Sequence, residues 1–268
     1  MSTADEHYEH LLAEHYTWML GGDLDALVAG QAHLLRDLGT VAERTGRPAV
    51  DLGCGSGAQT LALAELGFAP VIAVDTSRIL LDELSGHAGR DTAIRTVRAD
   101  IRGVLPEIVQ PGSAAVIVCM GDTLTHLPGK KEVTALLGDV AEALAEDGKL
   151  VITYRDLTEP LHGTDRFIPL RSTEDRVMTC FLEYPDGDDG DDGDTVMVHD
   201  LLHTRSGDTW TLRASAYPKL RISPDWLAGQ CRNAGLEIRR DEIGPRGMRV
   251  VVAGRGPVRP DRSTVRPR

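Results

Sequence analysis

The chain has 268 residues, 29 of them Lys or Arg and 41 Asp or Glu, for a formal net charge of −12, with 41% hydrophobic and 26% charged residues. A chain of this length buries a core that needs no disulfide or metal staple. Its acidic balance repels phosphate backbones and anionic bilayers, so neither nucleic acid nor a membrane is expected as a partner. No apolar run approaches the roughly 18 residues of a membrane-spanning helix. The opening MSTADEHYEH carries acids and no apolar h-region, which leads to the expectation of a cytoplasmic protein.

Tyr8, Leu11, Leu12, His15, Tyr16 and Met19 follow helical spacing, and Gly21-Gly22 ends the segment. A second helix is expected from Asp23 or Asp25 to about Leu38, with Gly39 as its stop. Strands are then expected at Ala49 to Leu52, Val71 to Val74, Ile94 to Val97, Ala114 to Cys119 and Leu150 to Thr153. Helices alternate with them near Ala58 to Leu66, Ser77 to His87 and Lys131 to Ala145. That alternation implies an α/β fold with a parallel, doubly wound sheet covered on both faces.

Beyond Tyr154 the strands become shorter and more charged, at about Met178 to Tyr184, Val196 to Thr204 and Trp210 to Ala216, and are expected to pair antiparallel. The acidic run Asp186 to Asp194 lacks the spacing of an EF-hand and reads as a solvated hairpin loop. A helix at Ser223 to Ala234 and a strand at Arg249 to Ala253 return to the sheet, and Arg255 to Arg268 reads as a disordered basic tail. Cys54, Cys119, Cys180 and Cys231 lie far apart and read as reduced structural thiols. His7, His10 and His15 lack an i, i+4 pair and His199 and His203 fall in a predicted strand, so no metal is expected.

The chemistry-bearing segment is Val50-Asp51-Leu52-Gly53-Cys54-Gly55-Ser56-Gly57, between the first strand and the next helix. Glycines there let a ligand approach the backbone, and the helix start offers unpaired amides. A dinucleotide fingerprint would place its third glycine at Ala58, one residue later than Gly57, and Asp51 would repel a pyrophosphate. A nicotinamide-dependent oxidoreductase is therefore disfavoured, as is a cofactor-binding scaffold without turnover.

The segment resembles the first motif of class I S-adenosylmethionine-dependent methyltransferases, acid-x-Gly-x-Gly-x-Gly. That resemblance implies a Rossmann-like seven-stranded methyltransferase sheet with an antiparallel insert after the fifth strand. It implies S-adenosyl-L-methionine as cofactor, held by Asp51, Gly53, Cys54, Gly55 and Gly57. Asp75 and Thr76 would serve the ribose, Asp100 and Ile101 would border the adenine, and Met120 and Gly121 would face the sulfonium. GDTLTHLP (Gly121 to Pro128), TYRDLT (Thr153 to Thr158) and LRASAYPKL are similar to patches of glycine N-methyltransferase-like enzymes, with Asp122 where that group has Asn.

By this likeness residues 1–40 form a helical lid, 41–254 the methyltransferase domain with its insert at about 155–222, and 255–268 the tail. Tyr8, Tyr16 and Trp18 are candidates for the lid over the methyl group. Asp122 and His126 could take the acceptor's proton; Arg155 and Asp122 could hold the carboxylate and ammonium ends of a small zwitterion, with Tyr217 reaching the same pocket. The expected reaction is methyl transfer to a small-molecule acceptor, on the nitrogen of an amine or amino acid. The alternative is O-methylation of a natural product at a hydroxyl or carboxyl. An aromatic content of 4% argues against the aromatic-lined pocket that the alternative would favour.

Overall fold

A computed structural model describes residues 3–42, 46–89, 91–184 and 193–256. The expected basic tail beyond Gly256 lies outside these residues, as does the expected acidic loop apart from Gly193 and Asp194. Arg255, grouped above with the tail, is the last residue of a strand.

In place of one amphipathic helix, the N-terminal segment is broken. It runs as α1 (Thr3–His7), a π turn (Tyr8–Leu12), a 3₁₀ turn (Ala13–His15) and α2 (Tyr16–Leu20). Leu11, Leu12 and Ala13 are all buried, and three consecutive inward side chains require such a change of helical pitch. Helix α3 (Leu24–Asp37) follows, its N-terminus capped by the Asp23 carboxylate accepting the Ala26 amide at 3.0 Å.

The strands are β1 (Ala49–Leu52), β2 (Val71–Asp75), β3 (Ile94–Arg98), β4 (Ala114–Cys119) and β5 (Leu144–Tyr154). Interleaved with them are α4 (Ala58–Glu65), α5 (Arg78–Ala88), α6 (Leu105–Ile108) and α7 (Lys130–Ala143). β5 begins six residues before the expected Leu150: Leu144 pairs with Ala114 and Lys149 with Val116, so the intervening residues bulge out of the ladder. The chain continues through β6 (Phe167–Ser172), β7 (Arg176–Glu183), β8 (Thr195–Ser206) and β9 (Thr209–Leu220). It closes with α8 (Pro224–Asn233), β10 (Leu236–Ile243) and β11 (Arg249–Arg255). Strands β6 and β10, with the short α6, are elements that the sequence pattern did not signal.

The main sheet has seven strands in the order β10-β11-β5-β4-β1-β2-β3, parallel from β1 to β5, with β11 antiparallel to both β5 and β10. Period-two alternation divides its core. Val50, Leu52 and Ile117 face α7 and α8, while Ala49, Val116 and Val118 face α3 and α4. Strand order reverses between β1 and β4, so the crevice at their carboxyl ends is where an open α/β sheet binds its ligand. The second sheet, β6-β7-β8-β9, is wholly antiparallel. Its inner face offers Met178, Cys180, Leu182, Val198 and Leu202, and the N-terminal segment packs on it through Ala4, Leu11 and Leu12. No helix among the described residues is long and apolar enough to cross a membrane.

Candidate active site

The turn after β1 bends sharply, with Gly53, Gly55 and Gly57 all at positive φ (73°, 54° and 96°). A Cβ on Gly53 would lie 2.3 Å from Thr123 Cγ2, and one on Gly55 would lie 2.9 Å from the Tyr16 ring. Gly53 and Gly55 thus form a cradle under Tyr16 and line a pocket with Asp75, Thr76, Ile101 and Gly121. Gly57, expected at the ligand, instead caps α4 against Leu84 and is absent from the pocket wall; a Cβ there would stand 2.2 Å from Leu84 Cδ1.

Asp75 at the end of β2 is the hub of this pocket. Its Oδ2 accepts the Gly55 amide and its Oδ1 the Ser77 amide, each at 2.9 Å. Burial raises its carboxyl above the usual range against the pull of those two amides. Thr76 Oγ1 donates to Asp5 at 3.0 Å, tying α1 to the pocket's rim. Asp100 lies on the wall but is chelated by its neighbour: Arg102 Nε stands 2.9 Å from Oδ2 and the Arg102 amide 2.8 Å from Oδ1. Burial is outweighed there by Arg102, and the carboxyl sits below its usual range.

Asp51 is placed differently from its expected role. Strand alternation puts it on the same face as Ala49, under α4, where Oδ2 accepts Thr60 Oγ1 at 2.6 Å, and it reaches no pocket wall. Burial pushes its carboxyl up to about 7, partly opposed by that hydrogen bond. Cys54 is buried with its thiol against the Gly55 carbonyl at 3.6 Å, and burial holds the thiol protonated.

A second cavity of about 1020 Å³ opens between the two sheets. It shares Tyr8, Tyr16, Gly121 and His126 with the first, and adds Met120, Asp122, Arg155, Tyr217, Lys219 and Asp200. Asp122, at φ 76°, accepts the Arg155 amide at 2.6 Å and Lys219 Nζ at 3.1 Å, with Arg155 Nε 3.5 Å away. Burial would raise this carboxyl, but Lys219, then the amide and guanidinium of Arg155, hold it below its usual range. Arg155 and Asp122, expected at opposite ends of a zwitterion, pair with each other. The residue missed in that reading is Lys219, which shares the Tyr217 face of β9 two positions along in Tyr-Pro-Lys.

Three of the chain's five tyrosines gather here, with two histidines, so low aromatic content did not exclude an aromatic wall. Ring centroids lie 6.0 Å apart for Tyr8 and Tyr16, 5.7 Å for Tyr8 and His126, 5.5 Å for His126 and Tyr217, and 4.2 Å for His7 and Tyr217. Burial, then the Lys219 ammonium, pushes His126 down to about 3, so the imidazole is neutral and a weak base. Burial also holds the Tyr8, Tyr16 and Tyr217 phenols above their usual range. Trp18 lies outside this wall, between the guanidinium groups of Arg171 and Arg176 at 5.4 and 4.7 Å. Among the described residues no group of metal-ligating side chains comes together.

Two buried polar atoms in the cavity walls, Ser56 Oγ in the second and His126 Nε2 in both, have no hydrogen-bond partner within the chain and could meet a polar ligand. With the glycine cradle and the Asp75 carboxylate, they fit a ligand carrying a ribose and an amino-acid moiety.

Residues 49–148 match the model of a family described as a methyltransferase domain. The chain is 26% identical over 160 residues to a glycine/sarcosine N-methyltransferase of Parasynechococcus marenigrum, covering 59% of this chain and 55% of that protein. It is 32% identical over 121 residues to a ubiquinone biosynthesis O-methyltransferase of Methylococcus capsulatus, covering 45% and 50%. The chain spans about half the length of these curated relatives. A solved amino pentose methyltransferase of Micromonospora echinaspora with bound S-adenosylmethionine has the same fold, at a TM-score of 0.63 and 18% identity over 90% of this chain and 95% of that one.

Proposed function

We propose that this chain, whose residues 49–148 form a methyltransferase domain, transfers a methyl group from S-adenosylmethionine to the nitrogen of a small polar amine or amino acid. The observation that carries this reading is the meeting of two cavities at Tyr8, Tyr16, Gly121 and His126, one cradled by the glycine turn and Asp75, the other walled by charged and aromatic side chains.

When bound, S-adenosylmethionine supplies an electrophilic methyl group. The protein's own share is alignment and exclusion of water. Gly53 and Gly55 allow close approach, Asp75 offers its carboxylate to the ribose hydroxyls, and Thr76, Ile101 and Arg102 border the base. Tyr8 and Tyr16 close the roof. The first cavity continues past Asp5, Thr76, Asp100 and Arg102 into a wider opening of about 730 Å³, through which a ligand can reach the glycine turn.

Nitrogen rather than oxygen is supported by two of the titratable groups that line the acceptor cavity, His126 and Asp122. A hydroxyl needs a base poised near neutral pH. His126 is pushed down to about 3 and Asp122 is held below its usual range by two cations. Neither is such a base, whereas an amine in its neutral form is already nucleophilic. The curated relatives support either atom: one is named a glycine/sarcosine N-methyltransferase and the other an O-methyltransferase. A cavity of about 1020 Å³ exceeds the needs of glycine and admits an amine on a sugar-sized frame, the acceptor class in the name of the amino pentose methyltransferase.

The test is turnover with a panel of glycine, sarcosine, amino sugars and hydroxylated aromatics, reading S-adenosylhomocysteine release. Methylation confined to amines is the expected result. Methylation confined to hydroxyls would transfer the assignment to oxygen.

A further inference from the structure

The acceptor cavity holds two carboxylates, and they differ in what already neutralises them. Asp122 takes a backbone amide, an ammonium and a guanidinium, so that cluster carries a net positive charge. Asp200, on the inner face of β8, is the more buried of the two, at 3% exposure against 7%. Its ion-pair partner is His7, whose Nε2 stands 2.9 Å from Oδ2, and no Lys or Arg pairs with it among the described residues. His7 gives that carboxylate one hydrogen bond, where Asp122 receives a backbone amide and two cationic side chains. A buried carboxylate with one hydrogen bond and no Lys or Arg beside it is the place in the cavity best suited to a cationic group.

The surroundings of Asp200 fit an amino group. Tyr217 lines the same cavity, buried, with its ring 4.2 Å from that of His7, and its face offers a second attraction for an ammonium. His7 Nδ1 is buried without a hydrogen-bond partner, so the polar hold on the imidazole is its contact with Asp200. Lys219 lies further along β9, opposite Val196, whereas Ser215 stands opposite Asp200, so cationic and anionic groups sit at two stations of one sheet face.

We propose that Asp200 is the subsite for the acceptor's amino group, with His7 standing in for it until the acceptor arrives, while Lys219 and Arg155 take the acceptor's anionic or polar end. This rests on the methyl-transfer reading above. An amine that arrives as ammonium first gives a proton to the Asp200 carboxylate; the neutral nitrogen then forms its bond to the methyl carbon as the sulfur–methyl bond breaks, S-adenosylhomocysteine leaves, and the positive charge moves from sulfur onto the nitrogen. Because His7 belongs to α1, an amine that displaces it from Asp200 also loosens the segment that roofs the first cavity. Acceptor binding and product release are thereby coupled.

The probe is ¹³C-labelled methylammonium, titrated by NMR line broadening into the full chain, both free and saturated with S-adenosylhomocysteine. Wild type is expected to broaden the signal. Asp200→Asn, which keeps an acceptor oxygen for His7, should weaken this at least tenfold while leaving S-adenosylhomocysteine affinity within a factor of about 3. Asp122→Asn should change methylammonium binding by less than threefold. His7→Gln, which leaves Asp200 in place with a weaker competitor, should bind the probe at least as tightly as wild type, and it carries the test if Asp200→Asn does not fold. Sharp signals with wild type, equal binding by Asp200→Asn, a loss confined to Asp122→Asn, or weaker binding by His7→Gln would each overturn the proposal. Calorimetry with S-adenosylhomocysteine reports separately on the methyl-transfer reading: its failure leaves the methylammonium result on the free chain standing.

Discussion

The Gly55 amide donates to Asp75 Oδ2 at 2.9 Å, so the turn after β1 and the acid ending β2 are one hydrogen-bonded unit. The other carboxylate oxygen accepts the Ser77 amide at 2.9 Å, which fixes the start of α5 to the same point. Replacing Asp75 by Ala should cost donor binding about 1.5 to 3 kcal/mol, the range for hydrogen bonds to a charged group. Calorimetry with S-adenosylhomocysteine measures this, and an unchanged affinity would place the ribose elsewhere.

Gly55 and Gly57 both have positive φ, yet they should fail differently when replaced. A side chain at Gly55 meets the edge of the Tyr16 ring over the cavity, so Gly55→Ala should lose donor binding and carry only the strain of its positive φ, with no packed side chain in its way. At Gly57 the added Cβ meets Leu84 in the packed layer under α5, so Gly57→Ala should cost roughly 1 to 3 kcal/mol of stability by overpacking and strain. Thermal melts beside ligand titrations separate the two, and the reverse pattern would exchange their roles.

Asp51 makes the folded chain sensitive to pH. Its carboxyl, pushed up to about 7 by burial from an ordinary 3.8, holds a proton in the folded state that the unfolded chain has released. Stability from this group is therefore greatest at low pH and falls as pH rises from about 4 through 7. Asp51→Asn removes the dependence and keeps an oxygen for Thr60. Its advantage over wild type in chemical denaturation should be larger at pH 8 than at pH 5 by roughly 2 to 3 kcal/mol. An advantage independent of pH would show that Asp51 titrates normally.

The legibility of this chain in its sequence follows from where the physics is local. The turn Gly53 to Gly57 and Asp75 at the end of β2 could be read because strand alternation, turn glycines and helix starts are written within a few residues. Bounds for β1 and β4 fell at Ala49–Leu52 and Ala114–Cys119 for the same reason. Side-chain partners could not be read. Asp122 meets Lys219 across 97 positions and His7 meets Asp200 across 193, and no periodicity reports such encounters. The broken N-terminal helix escaped as well, because its pitch is imposed by the second sheet that it covers. β10 escaped because its LEIRRDEI is mostly charged, and it pairs at the sheet's edge, where one ladder suffices.

Arg155 and Lys219 together bracket Asp122, and their separate removal distinguishes a structural pair from an acceptor clamp. Lys219 Nζ makes the shorter contact, at 3.1 Å against 3.5 Å for Arg155 Nε, and its side chain is the more buried of the two. If these cations only neutralise Asp122, Lys219→Met leaves a buried carboxylate short of charge and its pKa rises. The acid limb of the kcat profile then moves to higher pH, with acceptor KM little changed. If they also receive the acceptor, as proposed, Lys219→Met should raise KM for a carboxylate-bearing amine by about tenfold or more, equivalent to roughly 1.5 to 3 kcal/mol. Arg155→Lys keeps the charge but loses the planar fork, so it should raise the same KM by a smaller factor and leave S-adenosylmethionine affinity unchanged. An acceptor lacking the carboxylate should be indifferent to both changes. Equal sensitivity of charged and uncharged acceptors would reduce Arg155 and Lys219 to supports of the Asp122 loop.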